Sequence, residues 1–470
     1  MGIGDLAGDL LRGIEGIGQG LAQPFSDPVV RLGVTGLSRA GKTVFITSLV
    51  ANLMDRARMP GLRAAAEGRI LSAFLQPQPD DTVPRFDYEA HLAALTGPEP
   101  RWPESTRAVS ELRLSFRLQD GGLMGALRGI RTLHLDIVDY PGEWLLDLSL
   151  LDLSYEAWSK DVMARIAVRG EAQGFLALAA ATDAAKPLDE VTAKALAESF
   201  TGYLTEARKA GYSDCTPGRF LLPGELAGSP VLTFAPLPEA GPAPRGSLRR
   251  EMERRYDAYR AKVVKPFFRD HFARIDRQVV LVDVLGAIHA GPRAVEDMRA
   301  AMAGILSAFR PGRNGWLSSL LGGKRVERIL FAATKADHLH HGQHMRLTGI
   351  MAALMREAKD RAEFAGADTA AMSIASVRAT VEEQVTHGGS VLDAVRGRLL
   401  SGKEAAMYAG ELPENPAAIL APAREGAQNW LDADYSVMAF APARLALKPD
   451  EGPPHIRLDR AAEFLIGDKL

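Results

Sequence analysis

Three short runs in this chain are apolar on both faces and close at once into a polar loop: VVRLGVTG (29–36), RTLHLDIVDYPG (131–142) and RILFAATKAD (328–337). QVVLVDVLG (278–286) and AAMSIASV (370–377) follow the pattern less fully. Strands of this kind are buried on both sides. With helical segments between them they predict an α/β domain whose mainly parallel sheet is covered by helices on both faces. Ligands of open α/β sheets sit beyond the carboxyl ends of the strands, and the unusual loops fall at those ends.

Two segments interrupt the rhythm. Residues 55–104, rich in Arg, Ala and Pro, read as helices plus a long loop. Residues 146–277 read largely as helix, with a proline-punctuated middle and a charged amphipathic stretch, LRREMERRYDAYRAKVVKPFFRDHF (248–272). The expected organisation is therefore an α/β domain in two parts (28–145 and 278–400), split by a mostly helical insertion domain (146–277). A helical segment (1–27) precedes it, and an extension of Pro-rich loops and short apolar runs (401–470) follows. In the first segment Leu6, Leu10, Ile14, Ile17 and Leu21 fall at helical spacing, interrupted by Asp5, Asp9 and Glu15. That acidic polar face suits a helix packed on its own domain. A secretory signal needs a basic start, and an interfacial membrane helix is rich in Lys and Arg.

Composition narrows the function classes. The 470 residues are 47% hydrophobic and 24% charged, ordinary for a globular protein, with a formal net charge of -2. The basic footprint of a nucleic-acid binder is absent at whole-chain level. A single cysteine, Cys215, excludes an internal disulfide and a cysteine metal cage, and fits a reducing compartment. No stretch of about 18 apolar residues offers a membrane span.

Gly36-Leu37-Ser38-Arg39-Ala40-Gly41-Lys42-Thr43 satisfies G-x-x-x-x-G-K-[ST] between a strand and a helix. In that setting the backbone N–H groups of Gly36, Ser38, Arg39, Ala40, Gly41 and Val44 are placed to cradle phosphate oxygens, aided by the helix dipole. Lys42 reaches the β- and γ-phosphates and the Thr43 hydroxyl ligates Mg²⁺. GGKR (322–325) and SGKE (401–404) lack a strand before them and read as ordinary loops. Asp139-Tyr140-Pro141-Gly142 ends the run LHLDIV. A carboxylate at the tip of a buried strand is costly to desolvate without a cation or donors, so Asp139 is expected in the Mg²⁺ shell. The Gly142 amide is expected to sense the γ-phosphate, and Asp136, on the other strand face, to be structural. A mobile threonine should complete the shell just ahead of the preceding strand; Thr106 is favoured, with Thr82 the alternative.

Thr334-Lys335-Ala336-Asp337 is a [NT]-K-x-D sequence at the end of RILFAA. Its aspartate can accept guanine N1–H and the 2-amino group together, which adenine does not offer. A site built on such bonds can reject the analogue lacking them by about 10⁴-fold. Lys335 would lie along the base, and Ser376 and Val377 stand where a second base-contacting loop is expected. Thr334 replaces the asparagine that normally braces the phosphate loop.

Arg39 has two readings. It is either an exposed loop arginine paired with a nearby acid, or a finger-like group over the β/γ-phosphates, a role that can contribute about 10³–10⁵ in rate. Glu143 occupies a position where many GTPases place a water-orienting glutamine; its charge makes it a poor substitute, which predicts slow unaided hydrolysis. His338, His340, His341 and His344 crowd one stretch. As i, i+3 and i, i+4 pairs on a helix they could bind Zn²⁺, but a solvated helix start beside the base site is the preferred reading, with His338 shielding one edge of the base.

Taken together, GLSRAGKTVFITSLV, DIVDYPGEWLLDL, FAATKADHLH, SIASVRAT and the closing PHIRLDRAAEFLIGDKL resemble the YcjX-like family of bacterial P-loop GTPases across almost the whole chain. The resemblance implies phosphate binding by residues 36–44. It implies base binding by Thr334 to His338 with Ser376 and Val377, and a first switch at RWPESTR. It also implies a stress-inducible cytosolic protein, often encoded beside a small inner-membrane partner through which it would reach the membrane. Members have been described as ATPases as well as GTPases. The expectation is a G-domain-like P-loop protein that binds GTP or GDP with Mg²⁺, hydrolyses GTP slowly and switches a partner surface. The alternatives are an ATPase doing mechanical or remodelling work, and an interaction protein locked by its nucleotide.

Overall fold

The computed structural model describes residues 27–36, 40–104, 108–119, 129–238, 243–270, 274–307, 326–364, 366–427 and 437–470. The expected N-terminal helix, Ser38, Arg39 and Thr106 therefore lie outside the described residues.

Seven strands form the main sheet: β1 (Val29–Gly36), β2 (Ile70–Gln76), β3 (Ser110–Gln119), β4 (Ile130–Asp139), β5 (Arg277–Val282), β6 (Arg328–Ala333) and β7 (Asp368–Ser373), in the order β2-β3-β4-β1-β5-β6-β7. From β4 to β7 all pairings are parallel. At the other edge β3 and β2 add antiparallel pairings. The chain order changes direction at β1, which pairs with β4 on one side and β5 on the other. That is the switch point at which open α/β sheets bind ligands.

The strands alternate between two apolar layers, as a period of two requires. On one face Leu32, Val34, Ile137, Val279, Leu281 and Leu330 pack with α1 (Lys42–Met54). On the other, Val138, Val280, Val282, Ile329 and Phe331 belong to a larger core. Between β4 and β5 the described chain is helical and includes α2 (Gly142–Leu146), α3 (Glu190–Lys209) and α4 (Leu248–Tyr259). In α3, Asp189 caps the first turn, and Ala193, Leu196, Ala197, Phe200, Leu204 and Ala207 fall on one buried stripe at helical spacing. That stripe, the Trp158–Tyr256 ring stack and Phe234 share the second core with the sheet. The helical segment meets the loop after β4 through Phe267, whose ring stands edge-on to Tyr140 and Trp144. Beyond β5 come α5 (Pro292–Ser307) and α6 (His344–Leu354).

Two regions differ from the expectation. Residues 55–104 contain a strand, β2, as well as helices. Only Ile70 of β2 is fully buried, so its backbone pairing with β3, more than its pattern, makes it a strand. Residues 380–407 form a separate antiparallel sheet of β8 (Thr380–His387), β9 (Ser390–Arg398) and β10 (Glu404–Met407). Its hairpin turns at Gly388 and Gly389, both left-handed at φ 58° and 82°, a Gly-Gly signal present in the sequence. In the closing stretch, α7 (Leu458–Ile466) buries Leu458, Ala461, Ala462, Leu465 and Ile466 in the α1 layer, so the C-terminus completes the first core. No described helix is long and apolar enough to cross a membrane.

Candidate functional site

Gly36 ends β1 where a side chain has no room: an added Cβ would stand 2.8 Å from the Leu281 carbonyl oxygen. Gly41 adopts φ 79°, ψ 31° and precedes α1 with no side chain capping the helix. A left-handed glycine followed by uncapped helix N–H groups is the geometry that accepts an anion. The ammonium of Lys42 donates to the Gly36 carbonyl at 3.2 Å, bridging the two ends of the loop.

Thr43, 6% exposed, begins the buried side of α1, and its hydroxyl lies 3.5 Å from the carbonyl of Glu104. The chain leading into Thr106 therefore approaches the Thr43 hydroxyl. Thr82, by contrast, spends its hydroxyl on Asp80 within an exposed turn. Asp139 is 1% exposed at the end of β4, in register with Val34 of β1. A hydroxyl and a carboxylate are hard oxygen donors of the kind Mg²⁺ takes alongside phosphate oxygens, so Thr43 and Asp139 could hold that ion. Asp136 instead receives both arms of the Arg113 guanidinium, at 2.6 and 2.8 Å.

Gly142 opens α2, and the helical segment grips everything that follows. Glu143 is buried and ion-paired with Arg208 of α3 at 2.9 Å. A Cβ at Gly218 would come within 2.0 Å of the Glu143 carbonyl oxygen, a backbone approach open only to glycine. Trp144 donates its indole N–H to the Leu222 carbonyl at 3.1 Å and carries the Arg219 guanidinium over its ring. Asp147 accepts from the Gly218 amide at 2.7 Å and from the Tyr259 hydroxyl. None of Arg208, Gly218, Arg219 or Tyr259 carries a local motif, and sequence reasoning missed all four.

Burial pushes the Asp147 carboxyl up to about 7, against the hydrogen bonds from Tyr259 and Gly218 that favour its charged form. A carboxyl raised in the fold stabilises it below the unfolded pKa of about 4, and that contribution is lost as pH rises through about 7. Asp147→Asn should therefore flatten the fall in stability between about pH 5 and about pH 8, on either side of about 7. Urea unfolding at the two pH values checks this; an unchanged difference would mean that Asp147 ionises freely.

The candidate base loop follows β6. Thr334 is tied to β5, its amide donating to the Val282 carbonyl at 2.9 Å and its hydroxyl at 3.3 Å. Lys335 is left-handed at φ 60°, and its ammonium pairs with Asp283 at the tip of β5. Asp283 went unnoticed in the sequence, although it is a carboxylate ending a buried strand, as Asp139 is. Asp337, 5% exposed, accepts the Ala379 amide on Oδ2 at 2.9 Å, and its carbonyl accepts from the Thr380 hydroxyl. The Ala336 amide donates to Ile374 at 3.0 Å, joining this loop to the one bearing Ser376 and Val377. Ser376 in turn accepts from the Ser48 hydroxyl of α1 through its carbonyl. One network thus connects both candidate base loops to the helix behind the candidate phosphate loop.

The histidines do not share a helix. His338 and His341 lie on two 3₁₀ turns (Ala336–His338 and His341–Gln343), His340 caps the second, and His344 starts α6. His338 packs edge-on against Phe440, and burial lowers its pKa, keeping the ring neutral. His344 meets the carbonyls of Ala336 and Leu339 at 2.9 and 3.2 Å and so braces the base loop. His340 and His341 turn towards Glu382 of β8.

A family model described as YcjX-like family, DUF463, matches residues 30–470. A protein of Escherichia coli (strain K12) named Ras-like GTPase YcjX is 38% identical over 459 residues, covering 94% of this chain and 96% of that protein. A protein of the same name from Shewanella oneidensis is 37% identical over 478 residues, covering 96% of this chain and 97% of that protein.

Proposed function

The chain belongs to the YcjX-like family, and we propose on that footing that it is a GTP-binding GTPase acting as a slow, Mg²⁺-dependent switch. The relatives' name, Ras-like GTPase, supports the activity. The observation that carries the choice of base is Asp337, a buried carboxylate oriented by the Ala379 amide beside the loop network that reaches α1. In this reading the loop from Gly36 to Val44 holds the phosphates, Ser38 and Arg39 included. Lys42 binds the β- and γ-phosphates. Thr43, Asp139 and Thr106 would hold Mg²⁺, which supplies charge neutralisation at the phosphates when bound. Thr334, Lys335, Asp337, His338, Ser376 and Val377 line the base.

Gly142 is the sensor of the γ-phosphate, and its neighbours give the signal somewhere to go. Glu143, Trp144 and Asp147 are all gripped by the helical segment, so a shift of Gly142 is transmitted to α3 and α4. The partner surface belongs on that segment, and the stress-response role and an inner-membrane partner come from the family resemblance. Glu143 is committed to Arg208 and is not available to orient water, in keeping with slow hydrolysis. Nucleotide-free protein titrated with GDP and with ADP, each with Mg²⁺, tests the reading. GDP should bind at least about a hundredfold tighter, roughly 2.7 kcal/mol. Equal affinities would transfer the case to an ATPase.

A further inference from the structure

Just beyond Asp337, His340, His341 and Glu382 bring metal-ligating atoms together, one from each residue, all within 4.8 Å of one another. The histidines follow the 3₁₀ turn that bears Asp337, and Glu382 projects from β8. Glu382 Oε2 is the focus: His341 Nδ1 lies 2.7 Å from it and His340 Nε2 3.6 Å. Two ligands of a tetrahedral Zn²⁺, each about 2.0–2.1 Å from the ion, stand roughly 3.3 Å apart. The two observed distances straddle that value.

The surroundings hold these groups in place. The other carboxylate oxygen of Glu382 accepts the His341 amide at 3.2 Å and faces the Arg378 guanidinium at 3.5 Å, which leaves Oε2 turned towards the rings. The rings lie side by side with centroids 4.2 Å apart. Behind His340, Nδ1 accepts the Gly342 amide at 3.4 Å, and the Asp393 carboxylate lies 3.9 Å from the same nitrogen. Binding a metal through Nε2 moves the ring proton to Nδ1, which then turns from the Gly342 amide to the Asp393 carboxylate as the outer partner of the ring. His341 is 69% exposed, so the remaining coordination position opens to water.

We propose that His340, His341 and Glu382 form a site for one Zn²⁺-class divalent transition metal, with water as the remaining ligand. Imidazole and carboxylate donors suit Zn²⁺ and its neighbours in the first transition row rather than Mg²⁺. The location gives the site a consequence. Asp337 is already clipped to the start of β8 through Ala379 and Thr380, and a metal on Glu382 closes a second clip between the same loop and the same strand. Metal and guanine nucleotide then stabilise one conformation and each strengthens the binding of the other. This coupling rests on the guanine-nucleotide reading; the metal site itself does not.

The test begins with chelator-treated, nucleotide-free protein titrated with Zn²⁺ in excess Mg²⁺ by calorimetry. One saturable event per chain is expected. It should weaken at least about tenfold in His341→Ala and in Glu382→Gln, whose metal-free melting temperatures should match the parent's. Absence of saturable binding, or binding that survives both substitutions, overturns the site. Release of a fluorescent GDP analogue is then followed with and without Zn²⁺. Slower release in the parent alone supports the coupling, and release unchanged with Zn²⁺ bound overturns it. If the analogue fails to bind at all, the fault lies with the guanine-nucleotide reading.

Discussion

Lys42→Ala should abolish measurable binding of GDP and GTP while the metal- and nucleotide-free protein melts as the parent does. The ammonium is the only full positive charge in the described part of the loop, and the phosphates bring several negative charges to it. Charge-assisted hydrogen bonds of this kind are about twice as strong as neutral ones, and a loss of at least about 2.7 kcal/mol, a hundredfold, is expected. Within the protein, the same side chain contributes one 3.2 Å bond to the Gly36 carbonyl and is only half-buried. Its removal should therefore cost the fold little, about 1 kcal/mol. Calorimetry with GDP and a thermal melt without nucleotide separate the two effects. Retained affinity would place phosphate binding elsewhere in the molecule; lost affinity with a collapsed melt would make Lys42 structural.

The second large effect concerns Asp337→Asn. In the native loop Oδ2 accepts the Ala379 amide. An asparagine here must keep its oxygen on that amide, because turning its NH₂ there would set donor against donor. The NH₂ is then left facing the base. Guanine presents its own 2-amino donor at that point, whereas xanthine presents an oxygen. Affinity for GDP should fall by about 10²–10⁴ and affinity for xanthosine diphosphate should rise, since a buried polar mismatch is what makes such sites selective. Competition of the two diphosphates for the variant is the measurement. Unchanged GDP affinity would mean that Asp337 serves only to hold Ala379 and Thr380. A uniform loss for every nucleotide, xanthosine diphosphate included, would point to damage to the loop rather than to misreading of the base.

Much of the site was legible in the sequence where one loop carries the whole pattern. Gly36, Gly41, Lys42 and Thr43 are separated by a few residues, and backbone geometry ties those residue types to the strand–loop–helix turn. Asp139 and the TKAD stretch were equally visible, each a polar group at the tip of a strand buried on both faces. The same signal marked Asp283, which was overlooked because QVVLVDVLG belongs to no familiar motif. For the histidines, the i, i+3, i+4 zinc pairing presumes one helix, and the preferred helix start holds only for His344, because two 3₁₀ turns precede α6.

By itself, then, the sequence determined the parallel sheet and marked the candidate phosphate loop and the candidate base reader, since each depends on periodicity or on residues adjacent in the chain. Tertiary structure alone decided what those parts touch. Asp337 meets Ala379 at a separation of 42 residues and Lys335 meets Asp283 at 52. Arg208, Gly218 and Tyr259 reach the segment after Gly142 because the stripe on α3 and the rings around Trp158 close one apolar core within the helical segment. Hydrophobic burial is non-directional and leaves no short pattern to say which helix will lie on which loop; the partners of a buried charge are settled when the core closes.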